Sequence, residues 1–219
     1  MNPQELFQDV PFWHLITRLG EAEILLPAAL LCAAALLARQ RTRGLALGWV
    51  LLLALAVTIT TASKLAFIGW GLGWAAINFT GVSGHAMFSS AIYPVLMLTL
   101  VPGRSRRRWQ LSLALGCALA LLVGISRIQV GAHSPSEVLA GMVLGGTVTA
   151  LTLVWFETRA LSINPVVPAL LLVWVAVSPF QLHASQTHSL VTRLALSISG
   201  RAAPYTRAEL LRHSRHERT

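Results

Sequence analysis

Charge is what this sequence has least of. Only 11% of its 219 residues are Asp, Glu, Lys or Arg, against roughly 25% in soluble domains, while 55% are apolar. An ordinary water-soluble globule is excluded. Acids are scarcest: a single carboxylate, Glu137, lies between Glu23 and Glu157, too few for a two-metal centre built from convergent carboxylates. The two cysteines, Cys32 and Cys117, both lie inside apolar runs. They read as small buried hydrophobes, so neither a disulfide framework nor a Cys-based metal site is implied. The N-terminus lacks the basic start and hydrophobic core of a cleavable signal, carrying Glu5, Asp9, Glu21 and Glu23 instead. What remains is a net charge of +9 on a chain of mean hydropathy +0.65, which points to a membrane and away from nucleic acid.

Six uncharged stretches follow one another: Ile24 to Ala38, Gly44 to Ser63, Leu65 to Gly103, Trp109 to Ser126, Val138 to Phe156 and Ala160 to Thr192. Several reach the roughly 20 residues that a spanning helix needs, and the third, too long for one helix, is expected to hold a loop near Gly71 to Gly84. The reading is an all-α integral membrane protein of about six transmembrane helices in one bundle. Residues 1–23, with Phe7, Phe12 and Trp13, are expected at the lipid surface. Residues 24–181 would form the membrane domain and 182–219 a basic polar tail.

Short cytoplasmic loops collect Lys and Arg. Arg39, Arg41 and Arg43 follow the first span, Arg104, Arg106, Arg107 and Arg108 the third, and Arg159 the fifth. The loops after the second and fourth hold only Lys64 and Arg127, so they should face outward, toward a periplasm or the exterior. The tail arginines, from Arg193 to Arg218, disagree with this orientation.

The chemistry concentrates in those two outer loops. The first ends Val82-Ser83-Gly84-His85 just before an apolar run. Ser83 is a natural N-cap and Gly84 leaves the backbone open, so free amides and the positive helix end would face whatever sits beside His85. An ordinary capped helix with an interfacial histidine reads the same way. The second loop runs from Ser126-Arg127 to His133-Ser134-Pro135-Ser136-Glu137. Arg127 offers a planar fork of donors suited to phosphate, and His133 is a potential nucleophile. Ser134 to Glu137 has the spacing of a capping box, yet Glu137 is also the one nearby acid able to orient His133. Lys64 reads either as a phosphate ligand or as a snorkelling lysine at a helix end. Trp70, Trp74 and Phe79 read as an interfacial belt or a grip on lipid.

Together these loops resemble the type 2 phosphatidic acid phosphatase (PAP2) superfamily, in its bacterial membrane lipid phosphatase branch. The motif Pro-Ser-Gly-His is matched by Val82 to His85. The motif Ser-Arg, five residues, His, three residues, Asp is matched by Ser126 to Glu137, with Glu in the last place. The first family motif, Lys, six residues, Arg-Pro, is half present: Lys64 fits, but Gly71 and Leu72 occupy the Arg-Pro positions. The likeness runs from Lys64 to about Gly146.

The resemblance implies a metal-independent phosphatase with no cofactor, acting at the outer helix ends on a phosphorylated membrane lipid in the bacterial inner membrane. His133 would attack phosphorus to form a phosphohistidine, Glu137 would orient it, and His85 would protonate the leaving oxygen and then activate water. Lys64, Ser83, Gly84, Ser126 and Arg127 would hold the phosphate oxygens. Undecaprenyl pyrophosphate, phosphatidylglycerol phosphate, phosphatidic acid and a lipid A phosphate all fit. Alternatives are a lipid phosphotransferase and a non-enzymatic lipid-phosphate binder or transporter on the same fold.

Overall fold

The structure is a computed structural model that describes residues 11–100, 105–155, 167, 170, 173, 174, 177 and 187–216. Among the described residues the chain is helical: α1 (Pro11–Arg18), α2 (Ala22–Leu37), α3 (Arg43–Trp70), α4 (Gly84–Leu100), α5 (Arg106–Gln129), α6 (Pro135–Trp155), α7 (Thr187–Ser199) and α8 (Arg207–His216). Three helical stretches are long and apolar enough to cross a membrane: Gln40–Trp70, which includes α3, then α5 and α6. The α1–α2 pair, bent by 42°, makes a fourth if it forms one span. Of the six expected spans, the sixth falls mostly outside the described residues, as do Arg104 and Arg159.

The centre of the bundle is α4. Its Ala86, Met87, Ala91, Ile92, Tyr93, Val95 and Leu96 are all buried, as befits a helix that is apolar all round. The helices α2, α3, α5 and α6 pack around it. Outward-facing Leu47, Leu51, Leu55, Leu111, Leu115, Leu139 and Val143 are exposed on the surrounding helices, the pattern of a surface facing lipid.

The loop expected near Gly71 to Gly84 occupies the gap between α3 and α4. It begins later than charge alone suggests, because α3 runs past Lys64 as far as Trp70. The helix stops at Gly71, which takes the left-handed conformation (φ 70°) while its N–H and that of Leu72 bond back to Phe67 and Ala66. Lys64 therefore sits inside a helix, a turn and a half from its end.

Phe7 of the segment expected at the lipid surface lies outside the described residues, and the described ends of the chain pack against the bundle. Phe12 is half exposed, but Thr17 to Glu21 turn into the bundle: Tyr93 donates to the Leu19 carbonyl at 2.9 Å. The chain after residue 186 folds into α7 and α8, with Ala195 buried against Phe67 and Ile68 of α3. Small residues explain this docking, since a Cβ on Gly69 would already lie 3.2 Å from Ser199. The Tyr205 N–H then bonds the Ile68 carbonyl at 3.0 Å, bringing α8 to the Trp70 end of α3. Arg43 and Arg106 begin α3 and α5 at the opposite end of the bundle.

Candidate active site

The two motif loops meet because α4 and α6 approach almost backbone to backbone. Gly141 and Gly145, four residues apart on α6, face α4 so closely that an added Cβ would come within 2.5 Å of the Ser83 carbonyl and 2.2 Å of the Met87 carbonyl. This is the small-residue spacing by which membrane helices pack tightly. It aligns the helix starts, and the Ser83 N–H donates to the Glu137 carbonyl at 3.1 Å.

The second loop is fixed by its own backbone. Gly131 takes φ 66°, a conformation costly for other residues. The turn lets the N–H groups of Ala132 and His133 both donate to the Arg127 carbonyl, at 3.1 and 3.2 Å. Arg127 and His133 are thus locked together before any ligand is considered. Pro135 then opens α6, where its missing N–H costs nothing.

Glu137 carries both roles that its position allows. As a cap, its Oε2 accepts the Ser134 N–H at 3.1 Å, and its own N–H reaches the Ser134 hydroxyl at 3.4 Å. As an orienting acid, the same Oε2 lies 2.7 Å from Nδ1 of His133. The side chain is fully buried. Thr80 donates to Oε1 through its N–H at 2.7 Å and its hydroxyl at 2.5 Å, and Arg207 reaches both oxygens, at 2.9 and 2.8 Å. Burial pushes the His133 imidazole below its ordinary value, with its bond to Glu137 pulling the other way.

Lys64, His85, Arg127 and His133 line one cavity of about 760 Å³, together with Gly84. Four helix ends supply them. The Lys64 ammonium makes no ion pair among the described residues and packs 3.6 Å from where a Gly84 Cβ would be. Arg127 is aimed by a bond from Nη1 to the Thr17 hydroxyl at 2.7 Å, while its Nε is buried without a partner. A cavity with two such cations, two imidazoles and a helix N-terminus suits a phosphoryl group.

Two expected ligands stand differently. The Ser83 hydroxyl does not cap α4: it is buried and makes no hydrogen bond. The Ser126 hydroxyl turns back to the Val123 carbonyl of its own helix at 2.6 Å, and Ser126 does not line the cavity. Reading the motifs missed Thr80, two residues before Val82 in the first loop, and Thr17, Glu21 and Arg207, which approach the site from elsewhere in the chain. Glu21 lines the cavity and has one buried, unpartnered carboxylate oxygen. Among the described residues no three His, Cys, Asp or Glu side chains group as metal ligands do.

The model of the PAP2 superfamily matches residues 76–161, which include both histidine loops. The chain belongs to the PAP2 superfamily. An "uncharacterized 22.5 kDa protein in cps region" from Klebsiella pneumoniae is 36% identical over 207 residues, covering 90% of this chain and 97% of that protein. Phosphatidylglycerophosphatase B of Bacillus subtilis is 38% identical over 71 residues, 31% of this chain and 34% of the relative. Human glucose-6-phosphatase 3 is 42% identical over 69 residues, 29% of this chain and 20% of the relative. No solved structure matches. Within the PAP2 pattern, Gly71 stands where an arginine is expected, and its left-handed φ and the Tyr205 ring 3.1 Å from an added Cβ would strain a side chain there.

Proposed function

We propose that this PAP2 protein is a metal-independent phosphatase of membrane lipid phosphates or pyrophosphates that works through a phosphohistidine. One observation carries the proposal: Lys64, His85, Arg127 and His133 share a cavity, and Nδ1 of His133 is held by the buried Glu137. With Nδ1–H donated to the carboxylate, Nε2 keeps its lone pair. It attacks phosphorus, forming an N–P bond as the bond to the leaving oxygen breaks, and His85 gives that oxygen its proton. Glu137 balances the positive ring that results. His85, now a base, takes a proton from water as the water oxygen attacks phosphorus, releasing phosphate and restoring neutral His133. Lys64 and Arg127 neutralise charge growing on the non-bridging oxygens, the largest contribution that a fixed site makes to such a transfer. Their charge does the work otherwise given to metal ions.

A lipid substrate follows from the site's position. The cavity opens among the ends of apolar helices, with Trp70 and Trp74 exposed at the same end, where a phosphate headgroup and aromatic rings share the interface. The inner membrane is the proposed location, as a six-helix bundle with the site facing outward. Arg39, Arg41 and Arg43 and the Arg106 to Arg108 cluster support this by lying at the other end. The tail arginines weigh less against it than their number suggests, because Arg207 serves Glu137 and Arg201 stacks on Tyr205 at 3.8 Å.

Phosphate release by the purified protein in detergent, from undecaprenyl pyrophosphate, phosphatidylglycerol phosphate, phosphatidic acid and lipid A phosphate, tests the reading. Activity that persists in EDTA, falls with vanadate and disappears in His133→Ala is expected. An active wild type whose His133→Ala variant is equally active would reject it.

A further inference from the structure

The polar residues at the site do not all come from the three motif regions. A capping box opens α8: the Thr206 N–H and hydroxyl donate to Oε2 of Glu209 at 2.7 and 2.8 Å, and the Glu209 N–H returns to the Thr206 hydroxyl at 3.3 Å. With Tyr205 already bonded to Ile68 of α3, this fixes where Arg207 begins. Its guanidinium crosses to the first outer loop. Nη1 donates to Oδ1 and the carbonyl of Asn78 at 3.0 and 3.5 Å, and Nη2 donates to the Thr80 hydroxyl at 3.3 Å and to both oxygens of Glu137. Arg207 is therefore held on the loop side by Asn78 while it grips the carboxylate.

A fully buried carboxylate needs a compensating cation and donors for its lone pairs. A neutral His133 supplies a donor but no charge, and Lys64 and Arg127 make no ion pair with Glu137. Arg207 is the cation in contact with it. Thr80 holds Oε1, and Arg207 bridges Oε1 and Oε2, so the oxygen that meets Nδ1 of His133 at 2.7 Å is itself anchored by Arg207 at 2.8 Å. Tilting that carboxylate would tilt the imidazole, and the nitrogen that faces the cavity would move with it.

We propose that Arg207 is a positioning residue for phosphoryl transfer, delivered by the C-terminal helix, which holds the Glu137 carboxylate in register with His133. This rests on the phosphatase reading. It makes α7 and α8 part of the working site, and it gives the chain an arginine at the site although Gly71 occupies the family's usual arginine position. The two arginines are not equivalent, because the guanidinium of Arg207, though it lines the cavity, is engaged by Glu137, Asn78 and Thr80.

The test is steady-state phosphate release from the best lipid substrate by the full-length protein, with thermal unfolding of each variant measured alongside. Arg207→Ala is expected to lower kcat about 10- to 100-fold, the loss of a charge-assisted hydrogen bond, with KM changed less than about threefold, since both Nη atoms of Arg207 are already engaged by Asn78, Thr80 and Glu137. Arg207→Lys should recover part of kcat, because an ammonium still reaches one oxygen. If Arg207→Ala does not fold, Asn78→Gly gives the reading. Glycine suits the left-handed backbone there (φ 54°) and removes only the side-chain anchor of Nη1, so kcat should fall a few-fold with KM steady. A folded Arg207→Ala with wild-type kcat, or one that changes only KM, overturns the inference and leaves the phosphatase reading standing. If the Asn78→Gly variant is the one that reports, an unchanged kcat overturns it. A wild type that releases no phosphate from any of the four lipids overturns both.

Discussion

Glu137→Gln is the sharpest perturbation of the site, because it keeps the shape of the side chain and removes one charge. The carboxylate accepts from Thr80 at 2.7 and 2.5 Å, His133 at 2.7 Å, Ser134 at 3.1 Å and Arg207 at 2.9 and 2.8 Å, and every partner is a donor. A carboxamide has one acceptor oxygen and one NH2. With its oxygen toward Thr80, the NH2 points at His133 and Arg207, so the imidazole must turn its Nδ1 lone pair to it and carry its proton on Nε2. That is the nitrogen that has to attack. Each hydrogen bond to the charged group contributes about 1.5–3 kcal/mol, and the three that Oε2 accepts, from His133, Ser134 and Arg207, are lost. The tautomer penalty falls on catalysis, and a loss of about 10³–10⁴ in kcat is expected, or about 4–5.5 kcal/mol in the barrier. The unneutralised Arg207 falls on stability, at about 2–4 kcal/mol after allowing for its partial exposure to solvent. Phosphate release from the best lipid and thermal unfolding in the same detergent measure the two separately. A folded Glu137→Gln protein within about tenfold of wild-type kcat would show that the carboxylate acts as a helix cap alone.

Other changes probe the rest of the site. Gly145→Val drives a side chain into the Met87 carbonyl, 2.2 Å from the new Cβ; it should separate α4 from α6 and cost about 3 kcal/mol or more, seen as a large drop in unfolding temperature with loss of activity. Arg127→Lys keeps the charge but loses the fork and the bond to Thr17; kcat/KM should fall about 10- to 100-fold, and Thr17→Val, which only releases the aim of Arg127, should fall less. Because burial sets His133 below its ordinary value, the neutral ring that attacks persists below about pH 6.5; kcat/KM for a pyrophosphate lipid should hold there and decline only at more acid pH. The linked stability has the same sign: the folded value lies below the unfolded one, so the contribution is complete above about pH 6.5 and lost as pH falls through the folded value. A decline centred above pH 7 would contradict that environment for His133.

What the sequence reveals and what it hides divide along chain distance. The pairing of His133 with Glu137 is legible because both belong to one helix start, where capping chemistry and a four-residue spacing fix the geometry locally. The loop between Gly71 and Gly84 is legible as an uncharged run too long for one helix. The convergence of Lys64, His85, Arg127 and His133 follows from placing alternate loops on one membrane face. Arg207 is not legible: it meets Glu137 across 70 residues, and in sequence it is one more arginine in a basic tail. Thr17, 110 residues from Arg127, has no spacing that marks it. Ser83 shows a limit of a different kind. Its type and position suit a cap, but the tight approach of α6 gives its N–H to the Glu137 carbonyl and buries its hydroxyl with no backbone amide to meet.

The central claim is that Nε2 of His133 takes the phosphoryl group. Acid-free quenching during turnover of a radiolabelled lipid phosphate, followed by peptide mapping, measures this directly. The account predicts a base-stable, acid-labile phosphate on the peptide containing His133, absent from His133→Ala and, with a pyrophosphate lipid whose leaving phosphate needs no proton from His85, accumulating in His85→Gln, where water is no longer activated. Full turnover with no protein-bound phosphate in either the wild type or His85→Gln, or with the label on a residue other than His133, would contradict it.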